Sequence, residues 1–147
     1  MNIQIKAFND FSAPELYEVL SLRNLVFVVE QNCAYLDTDG DDHNAHHVLV
    51  YDDTNELIAY ARIFKPEIKY KTASIGRVVV HPNHRGKHLG DLLINHSINA
   101  IQDLYRTSEI TLSAQAHLQF FYNKHGFVTV SDAYLEDDIP HVEMQRK

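Results

Sequence analysis

The chain contains a single cysteine, Cys33, so it cannot form an internal disulfide bond. A lone cysteine is typical of proteins that work in a reducing compartment. No segment approaches the roughly 20 consecutive apolar residues that a membrane-spanning helix needs. The first ten residues, MNIQIKAFND, also lack the basic start and apolar run of a secretory signal. These absences predict a cytoplasmic protein that does not enter a membrane.

Basic residues are outnumbered: 13 lysines and arginines face 20 aspartates and glutamates, which gives a formal net charge of −7. This balance argues against a general nucleic-acid binder, and it is compatible with attraction of a cationic substrate such as an amine. The 147 residues carry no internal repeat and no low-complexity tract. A chain of this length is expected to fold as one domain with a substantial core.

Several common binding motifs are also missing. The sequence contains no GxxxxGK[ST], and no GxGxxG follows a predicted strand. The acidic stretch DTDGDD, residues 37–42, is called the aspartate loop below. It does not match an EF-hand, because the sixth and twelfth positions counted from Asp37 hold Asp42 and Val48, where that motif needs glycine and an acid. We predict a solvated turn here, with an acidic wall of a substrate site as the alternative.

The chain is organised around residues 75–104. IGRVVV predicts a strand, HPNHRGKHLG predicts a basic loop, and the apolar spacing that follows predicts a helix. Gly86 and Gly90 allow a tight turn, and the free N–H groups at the start of a helix bind anions. The unit therefore predicts a phosphate site, with an ordinary strand-to-helix turn as the alternative. The apolar stripe of the helix comprises Leu89, Leu92, Leu93, Ala100, Ile101 and Leu104.

The remaining pattern predicts a mixed α/β sheet. Ser12 and Glu15 form a capping-box pattern with Pro14 in the first turn, so a helix begins there. Gly76, early in the central strand, marks a bulge or a close backbone approach. A short helix is predicted from Ala116 to Lys124, closed by Gly126. Further strands are predicted at residues 3–8, 47–51, 57–64, 110–114, 127–134 and 142–145.

Two charged residues fall on the apolar stripe of the first helix. At about 100° per residue, Arg23 and Glu30 face the same way as Leu16, Val19 and Val26, provided that the helix is unbroken. A charge on a buried face needs a partner or a cleft. In the alternative, the helix bends near residues 27–29 and Glu30 points into water.

The stretch RVVVHPNHRGKHLGDLL resembles the acetyl-CoA-binding segment of the GNAT superfamily of N-acetyltransferases, whose signature is [QR]-x-x-G-x-[GA]. The matching residues run from Arg85 to Gly90, and His88 replaces the family's middle glycine. The His88 side chain either crowds the diphosphate of the coenzyme or donates to it. The stretches LRNLVFVVEQNCAYLDTDGDD, AYARI, SAQAHLQFFYNKHGF and IPHVEM are similar to the ElaA-like branch of that superfamily.

This resemblance implies a GNAT-like fold. The expected sheet is mixed and mostly antiparallel, with about six to seven strands, flanked by helices and splayed at the central strands. The splay receives the pantetheine arm of acetyl-CoA, the implied cosubstrate. Gln115 stands where many members have asparagine, with helix initiation as the alternative explanation. The implied coenzyme contacts are Val78, Val79, Val80, Arg85, Gly86, Lys87, His88, Leu89, Gly90 and Gln115.

Transfer to an amine sets its own chemical requirements. An alkyl amine has a pKa near ~10.4, so neutralising it at pH 7 costs about 4.6 kcal/mol. The reaction needs a base, donors for the developing oxyanion and a proton for the leaving thiolate. Backbone N–H groups of residues 78–80 can serve the oxyanion. By resemblance, Tyr122 matches the family tyrosine that protonates the thiolate, with a core aromatic as the alternative.

The general base is not settled by the sequence. We favour Glu30, because the predicted helix turns it toward the sheet. The other candidates are an aspartate of the aspartate loop, His46, His47, His141 and Glu143.

No metal is expected. His81, His84 and His88 are spaced as if on one helix, but Pro82 and the glycines after it make a continuous helix there improbable. Cys33 has no evident histidine partner, so we interpret it as a buried or peripheral thiol and not as a nucleophile.

These patterns lead to one main hypothesis and one alternative. The protein is expected to be an acetyl-CoA-dependent N-acetyltransferase that moves the acetyl group directly to a primary amine of a small molecule, peptide or protein, in a ternary complex. The alternative is a non-catalytic acyl-CoA-binding module. The identity of the acceptor does not follow from a fold, and a homodimer stays open.

Overall fold

Eight strands form one sheet in the computed structural model, which describes residues 1–147. The strand order is β1-β2-β3-β4-β5-β8-β6, and β7 also pairs with β8. Every pairing is antiparallel except that of β4 with β5. This confirms the mixed, mostly antiparallel sheet. The strands are β1 (Asn2–Ala7), β2 (His46–Tyr51), β3 (Leu57–Phe64), β4 (Ala73–Val80), β5 (Ile110–Gln115), β6 (Val128–Thr129), β7 (Tyr134–Glu136) and β8 (Ile139–Arg146).

Helices cover both faces of the sheet. The α-helices are α1 (Ala13–Arg23), α2 (Leu89–Tyr105) and α3 (Gln119–Asn123). Side chains alternate along a strand, so Val48 and Val50 of β2 join the core on the α2 side while Leu49 packs with Val19 of α1 on the other. Both faces of β3 are covered, and all eight of its residues are buried. None of the helices combines the length and apolar character needed to cross a bilayer.

The two central strands separate soon after they meet. Parallel pairing of β4 with β5 is limited to Ala73 with Ile110 and Ser74 with Thr111. On its other side, β4 bulges against β3, and Arg77 in the bulge has a φ of 49°. The predicted splay and the predicted bulge near Gly76 are both confirmed. The divergence leaves a gap in the middle of the sheet.

The first helix begins as predicted and ends differently. Ser12 accepts a bond from the Glu15 backbone N–H, and the Glu15 carboxylate accepts one from the Ser12 N–H. After Arg23 the helix continues as a π-helix, Asn24–Glu30. Its i→i+5 bonds place more residues in each turn, so the 100° spacing fails. The prediction of an inward-facing residue is confirmed for Arg23, which is fully buried, and is wrong for Glu30, which is exposed.

The second helix presents its predicted stripe to the core. Leu89, Leu93, Ala100 and Ile101 are buried, whereas Leu104 at the far end is 46% exposed. The predicted last hairpin is only partly right. The segment 127–134 contributes the short β6, and the hairpin itself joins β7 to β8 through Asp137 and Asp138.

The aspartate loop is not a solvated turn, so that prediction is wrong. Asp37 and Asp42 are buried, and both bind the buried Arg23. Arg23 Nε donates to Asp37 Oδ2 at 2.7 Å, and Nη1 donates to Asp42 Oδ1 at 2.8 Å. The loop aspartates therefore neutralise a charge that α1 carries into the core, as a buried ion requires.

Two further arginines complete this network. Arg62 of β3 donates to both carboxylate oxygens of Asp39 at 2.8 Å and to Asp42 at 2.9 Å. Arg77 Nη2 donates to the Asp37 carbonyl at 3.1 Å. Three arginines thus balance three aspartates, and the loop joins α1 to β3 and β4. The arginine–aspartate network comprises Arg23, Arg62, Arg77, Asp37, Asp39 and Asp42.

Candidate functional site

The gap between β4 and β5 opens into a cleft of about 600 Å³, called the first cleft. This volume lies within the usual range for a small-molecule site. All of the predicted coenzyme contacts line it except Lys87. The cleft is also lined by Glu30 of the π-helix and by Phe121 and Tyr122 of α3. The predicted residues that line it are Val78, Val79, Val80, Arg85, Gly86, His88, Leu89, Gly90 and Gln115.

The loop before α2 has the geometry of an anion site. Gly86 has a φ of 80°, a region that suits glycine. No side chain caps the N-terminus of α2, which begins at Leu89. Its first N–H groups are therefore left for a ligand, and the helix dipole adds positive potential there. The loop therefore has free backbone donors and positive potential where the sequence predicts a phosphate site.

His88 has a backbone conformation that is more usual for glycine. Its φ is 59°, in the left-handed region, which costs a non-glycine residue about 1–2 kcal/mol. The side chain is 91% exposed and its Nδ1 lies 3.5 Å from Asp91 Oδ2. The imidazole thus extends into solvent and does not crowd the loop.

Gly90, the last residue of the signature, packs closely against Phe121 of α3. A Cβ at this position would lie 3.2 Å from the Phe121 ring. A side chain at this position would push the Phe121 ring away by a few tenths of an ångström, so glycine allows the closer contact between α2 and α3.

The exposed edge of β4 supplies backbone donors. The His81 N–H bonds to the Ile58 carbonyl of β3 at 2.8 Å. Donors alternate sides along a regular strand, so the Val80 N–H points toward the gap. Val78 lies in the bulge, where this alternation is interrupted. Val80 is therefore the predicted oxyanion donor whose direction follows from the strand pairing.

Glu30 is bound to the phosphate loop. Arg85 Nη2 donates to Glu30 Oε1 at 2.6 Å, and Nη1 donates to Oε2 at 3.1 Å. Both side chains are partly exposed, at 47% for Arg85 and 39% for Glu30. The carboxylate therefore lies at the end of the first cleft that would hold a diphosphate and does not face the sheet.

Replacement of Glu30 by glutamine is expected to tighten coenzyme A binding by up to about five-fold, because exposed ion pairs are worth about 0.2–1 kcal/mol. The neutral amide no longer competes with the diphosphate for Arg85 or repels it. Calorimetric Kd values at two salt concentrations measure this. Glu18→Gln on the exposed face of α1 is the control. Weaker binding of coenzyme A by E30Q would contradict the expectation.

Tyr122 has its ring in the core and its hydroxyl at the cleft. The ring packs edge-on against Phe121 at 5.0 Å and Phe127 at 6.0 Å between centroids. The residue is only 6% exposed, and no protein group bonds to its hydroxyl. Burial raises the pKa of Tyr122 to about 12, so the group keeps its proton at neutral pH. The ring of Tyr122 is therefore that of a core aromatic, while its hydroxyl is placed as the predicted proton donor to the thiolate would be.

A second cavity of about 240 Å³ adjoins the first cleft. The two share six residues in their walls, which are Phe27, Gln31, Val78, Gln115, Leu118 and Tyr122. The second cavity is polar and carries charges of both signs. Its wall includes Tyr35, Asp39, Arg62, Lys69, Tyr70, Arg77, Ser113, Glu136, Asp137 and His141.

The other base candidates separate clearly by position. Asp39 lines the second cavity, but Arg62 holds both of its carboxylate oxygens. His47 binds the Tyr60 hydroxyl at 2.6 Å, and burial lowers the pKa of His47 to about 4. Only His141 both lines the second cavity and is free of an arginine partner. The candidates outside both cavities are Asp37, Asp41, Asp42, His46, His47 and Glu143.

The sequence does not reveal most of the second cavity. Tyr35 and Tyr70 come from two separate connections, and Glu136 comes from the end of β7. The register that sets Gln115 opposite His141 brings the β8 side chains to this place. Alternation in β8 marks which residues share a face, but the sequence does not specify the pairing register.

The spacing of His81, His84 and His88 suggests one group, but only His81 and His84 lie together in the structure. His81 and His84 lie near Glu56, with Nε2–carboxylate distances of 3.9 and 3.8 Å, and His88 lies apart. His81 Nδ1 accepts a bond from the Asn83 N–H, so the neutral ring carries its proton on Nε2. To bind a metal through Nε2, the His81 ring would have to carry its proton on Nδ1 instead. It would then lose the hydrogen bond that Nδ1 accepts from the Asn83 N–H.

Cys33 lies in the wall of the second cavity, and its Sγ is 3.5 Å from the Asp137 carbonyl oxygen. Burial and the nearby Asp137 and Asp138 raise the pKa of the Cys33 thiol. A raised pKa reduces the thiolate fraction, which is the nucleophilic form. The geometry supports the interpretation of Cys33 as a peripheral thiol.

The chain matches known proteins over nearly its whole length. Residues 11–147 match the model of an acetyltransferase (GNAT) domain. Protein ElaA of Escherichia coli strain K12 is 42% identical over 141 residues, which is 95% of this chain and 92% of ElaA. A crystal structure of an acyl-CoA N-acyltransferase from Pseudomonas aeruginosa superposes with a TM-score of 0.93, at 42% identity and 100% coverage of both chains.

A more distant likeness concerns the fold alone. An aminoglycoside 6'-N-acetyltransferase, crystallised with coenzyme A, is 16% identical and has a TM-score of 0.71, covering 99% of this chain and 96% of that one. Together with the splayed sheet and the phosphate loop, the closer matches settle the family. The chain belongs to the GNAT family of acyltransferases, in its ElaA-like branch.

Proposed function

We propose that this protein transfers the acetyl group of acetyl-CoA directly to a primary amine while both substrates are bound. The observation that carries the proposal is the shared wall at Val78, Gln115 and Tyr122. A donor in the first cleft and an acceptor in the second cavity would meet at this shared wall. Family membership supports the acyl transfer itself.

The coenzyme occupies the first cleft from the phosphate loop inward. The diphosphate binds the N-terminus of α2, where Arg85 and Lys87 add positive charge. The pantetheine arm follows the gap beside β4. The thioester carbonyl then lies near the N–H group of Val80, which stabilises the oxyanion. Tyr122 protonates the departing thiolate.

Direct transfer is favoured over a covalent acyl-enzyme. The only cysteine, Cys33, has a raised thiol pKa, and no histidine contacts it. An adjacent base is the usual activator of a cysteine nucleophile. The acceptor amine itself is therefore the nucleophile.

The character of the second cavity supports an amine acceptor. Arg62 and Arg77 are already paired with the aspartate loop, whereas Glu136 and Asp137 at the β7–β8 turn have no arginine partner. The unbalanced charge at this entrance is therefore negative. It attracts an ammonium group, as does the net charge of −7.

Two measurements test the proposal together. We expect coenzyme A to raise the thermal midpoint and to give measurable heat in calorimetry at modest salt. We also expect acetyl-CoA to release free thiol when an effective member of a panel of primary amines is added. Coenzyme binding without thiol release from any amine would favour a non-catalytic acyl-CoA-binding module. Absence of coenzyme binding would overturn both functions.

A further inference from the structure

We propose that His141 is the general base, and that its Nε2 and the Glu136 carboxylate together receive the ammonium group of the acceptor. This inference rests on the proposed function, because it assigns the proton acceptor of that same reaction. It replaces Glu30, whose carboxylate binds Arg85 in the first cleft.

The position of His141 follows from strand pairing. His141 on β8 lies directly opposite Gln115 on β5. Directly paired residues point to the same face of a sheet, with Cβ atoms roughly 5 Å apart. Gln115 borders both cavities, so the His141 ring lies one strand away from the point where the substrates meet.

A hydrogen bond fixes which ring nitrogen of His141 is free. Nδ1 lies 2.7 Å from the Ile139 carbonyl oxygen, and a carbonyl can only accept. Nδ1 therefore carries a proton, and in the neutral ring Nε2 holds a lone pair. The ring stacks on Tyr134 at 6.3 Å with an interplanar angle of 24°, which limits its rotation.

The group facing Nε2 is a second acceptor. Glu136 Oε2 lies 3.4 Å from His141 Nε2. In the neutral ring, a lone pair and a carboxylate this close repel each other, and a donor placed between them relieves that repulsion. An ammonium nitrogen can lie about 2.8 Å from each of them, which is a normal charge-assisted hydrogen-bond length. The pair is thus complementary to the charged form in which an amine arrives.

Other titratable groups also border this cavity and enter any pH profile. They come from the aspartate loop and the segment before it, from the connection before β4, from the bulge, from α3 and from the β7–β8 turn. They are Cys33, Tyr35, Asp39, Arg62, Lys69, Tyr70, Arg77, Tyr122, Glu136 and Asp137.

The proton balance of the reaction closes with these groups. One proton of the ammonium passes to His141 Nε2 and later leaves to solvent. The freed nitrogen lone pair forms the C–N bond, and the carbonyl π electrons move onto oxygen. As that carbonyl re-forms, the C–S bond breaks and its electrons leave on sulfur. The thiolate takes the proton of Tyr122, and the phenolate regains one from the nitrogen. The products are an amide, a free thiol and one released proton.

Replacement of His141 by asparagine tests the base. The asparagine amide can still donate to the Ile139 carbonyl, so the local fold is retained while the Nε2 lone pair is lost. We expect kcat/KM for the amine to fall about 100-fold, at the lower end for general base catalysis. The acidic limb of the pH–rate profile should disappear, and the calorimetric Kd of coenzyme A should not change. His96→Asn on α2, outside both cavities, is the matched control.

A second variant separates binding from proton transfer. Glu136→Gln removes the negative charge beside Nε2, so we expect it to raise KM for the amine more than it lowers kcat. One outcome would overturn the base assignment alone. The wild-type protein acetylates an amine, and H141N does so at the same rate and with the same pH profile. If the wild-type protein binds coenzyme A but acetylates no amine, the assignment falls together with the proposed function.

Discussion

Tyr122→Phe is expected to slow acetyl transfer about 1,000-fold, within the range for loss of a general acid. The hydroxyl has no protein hydrogen bond, so its removal should leave the thermal midpoint unchanged. The phenylalanine ring retains the contacts with Phe121 and Phe127. Because burial raises the pKa of Tyr122 to about 12, the proton donor stays loaded through neutral and mildly alkaline pH. Steady-state rates at saturating acetyl-CoA measure the loss.

A second tyrosine serves as the control, because loss of its hydroxyl should lower stability and leave turnover unchanged. The Tyr105 hydroxyl forms a hydrogen bond with His46 Nδ1 at 2.7 Å, and neither residue lines the first cleft or the second cavity. Tyr105→Phe should lower the free energy of unfolding by about 1 kcal/mol and leave turnover intact. Equal turnover in Y122F and the wild-type protein would show that the thiolate leaves without this proton. A parallel loss of stability in Y122F would point to a structural role.

Arg23→Met is expected to lower the free energy of unfolding by about 3–5 kcal/mol, the usual cost of removing one partner of a buried ion pair. Methionine fills much of the arginine volume, so the main loss is electrostatic. Asp37 and Asp42 would then share Arg62 and Arg77 with Asp39, and one negative charge would stay buried without a counter-charge. Urea unfolding followed by circular dichroism measures the change.

Two comparisons isolate the charge effect. Lys6 binds Glu15 in a partly exposed pair, so Lys6→Met should cost at most about 1 kcal/mol. Adding Asp37→Asn to R23M restores neutrality and should recover part of the loss. A cost below about 1 kcal/mol for R23M would mean that water, and not arginine, satisfies these aspartates.

The same network gives the stability a definite pH dependence. Burial alone would raise the pKa values of Asp39 and Asp42, but Arg62 and Arg23 lower them below the usual range. A depressed folded-state pKa contributes stability that is complete above the unfolded value near ~3.9 and is lost as the pH falls through the folded value. The stability difference between the wild-type protein and R23M should therefore narrow in acid.

Local signals specified the parts of the fold that short-range physics controls. The bounds of β3 match the predicted residues 57–64. The capping box at Ser12 and the loop at Gly86 also lie where the sequence indicated. Each of these depends on residues within one or two turns of each other, where spacing determines geometry.

Long-range contacts explain what the sequence did not reveal. The aspartate loop looks like a solvated turn because its partners are remote: Arg62 lies 23 positions from Asp39, and Arg77 lies 40 from Asp37. Glu30 was misplaced because no residue pattern distinguishes a π-helix from an α-helix continuing from α1. His141 could be named as a candidate base, but only the pairing of β8 with β5 shows its distance from the reaction centre.

The separation of β4 from β5 also affects the tendency of the ligand-free protein to aggregate. An unpaired strand edge ordinarily invites another chain to add a strand, which is a route to aggregation. Here the open edge lies inside the sheet, in a cleft that is lined by Phe27 of the π-helix and by Leu118 and Phe121. A flexible, narrow molecule can enter this slot, whereas a neighbouring polypeptide strand cannot. The fold can therefore keep backbone donors exposed for a small molecule without offering a template for self-association.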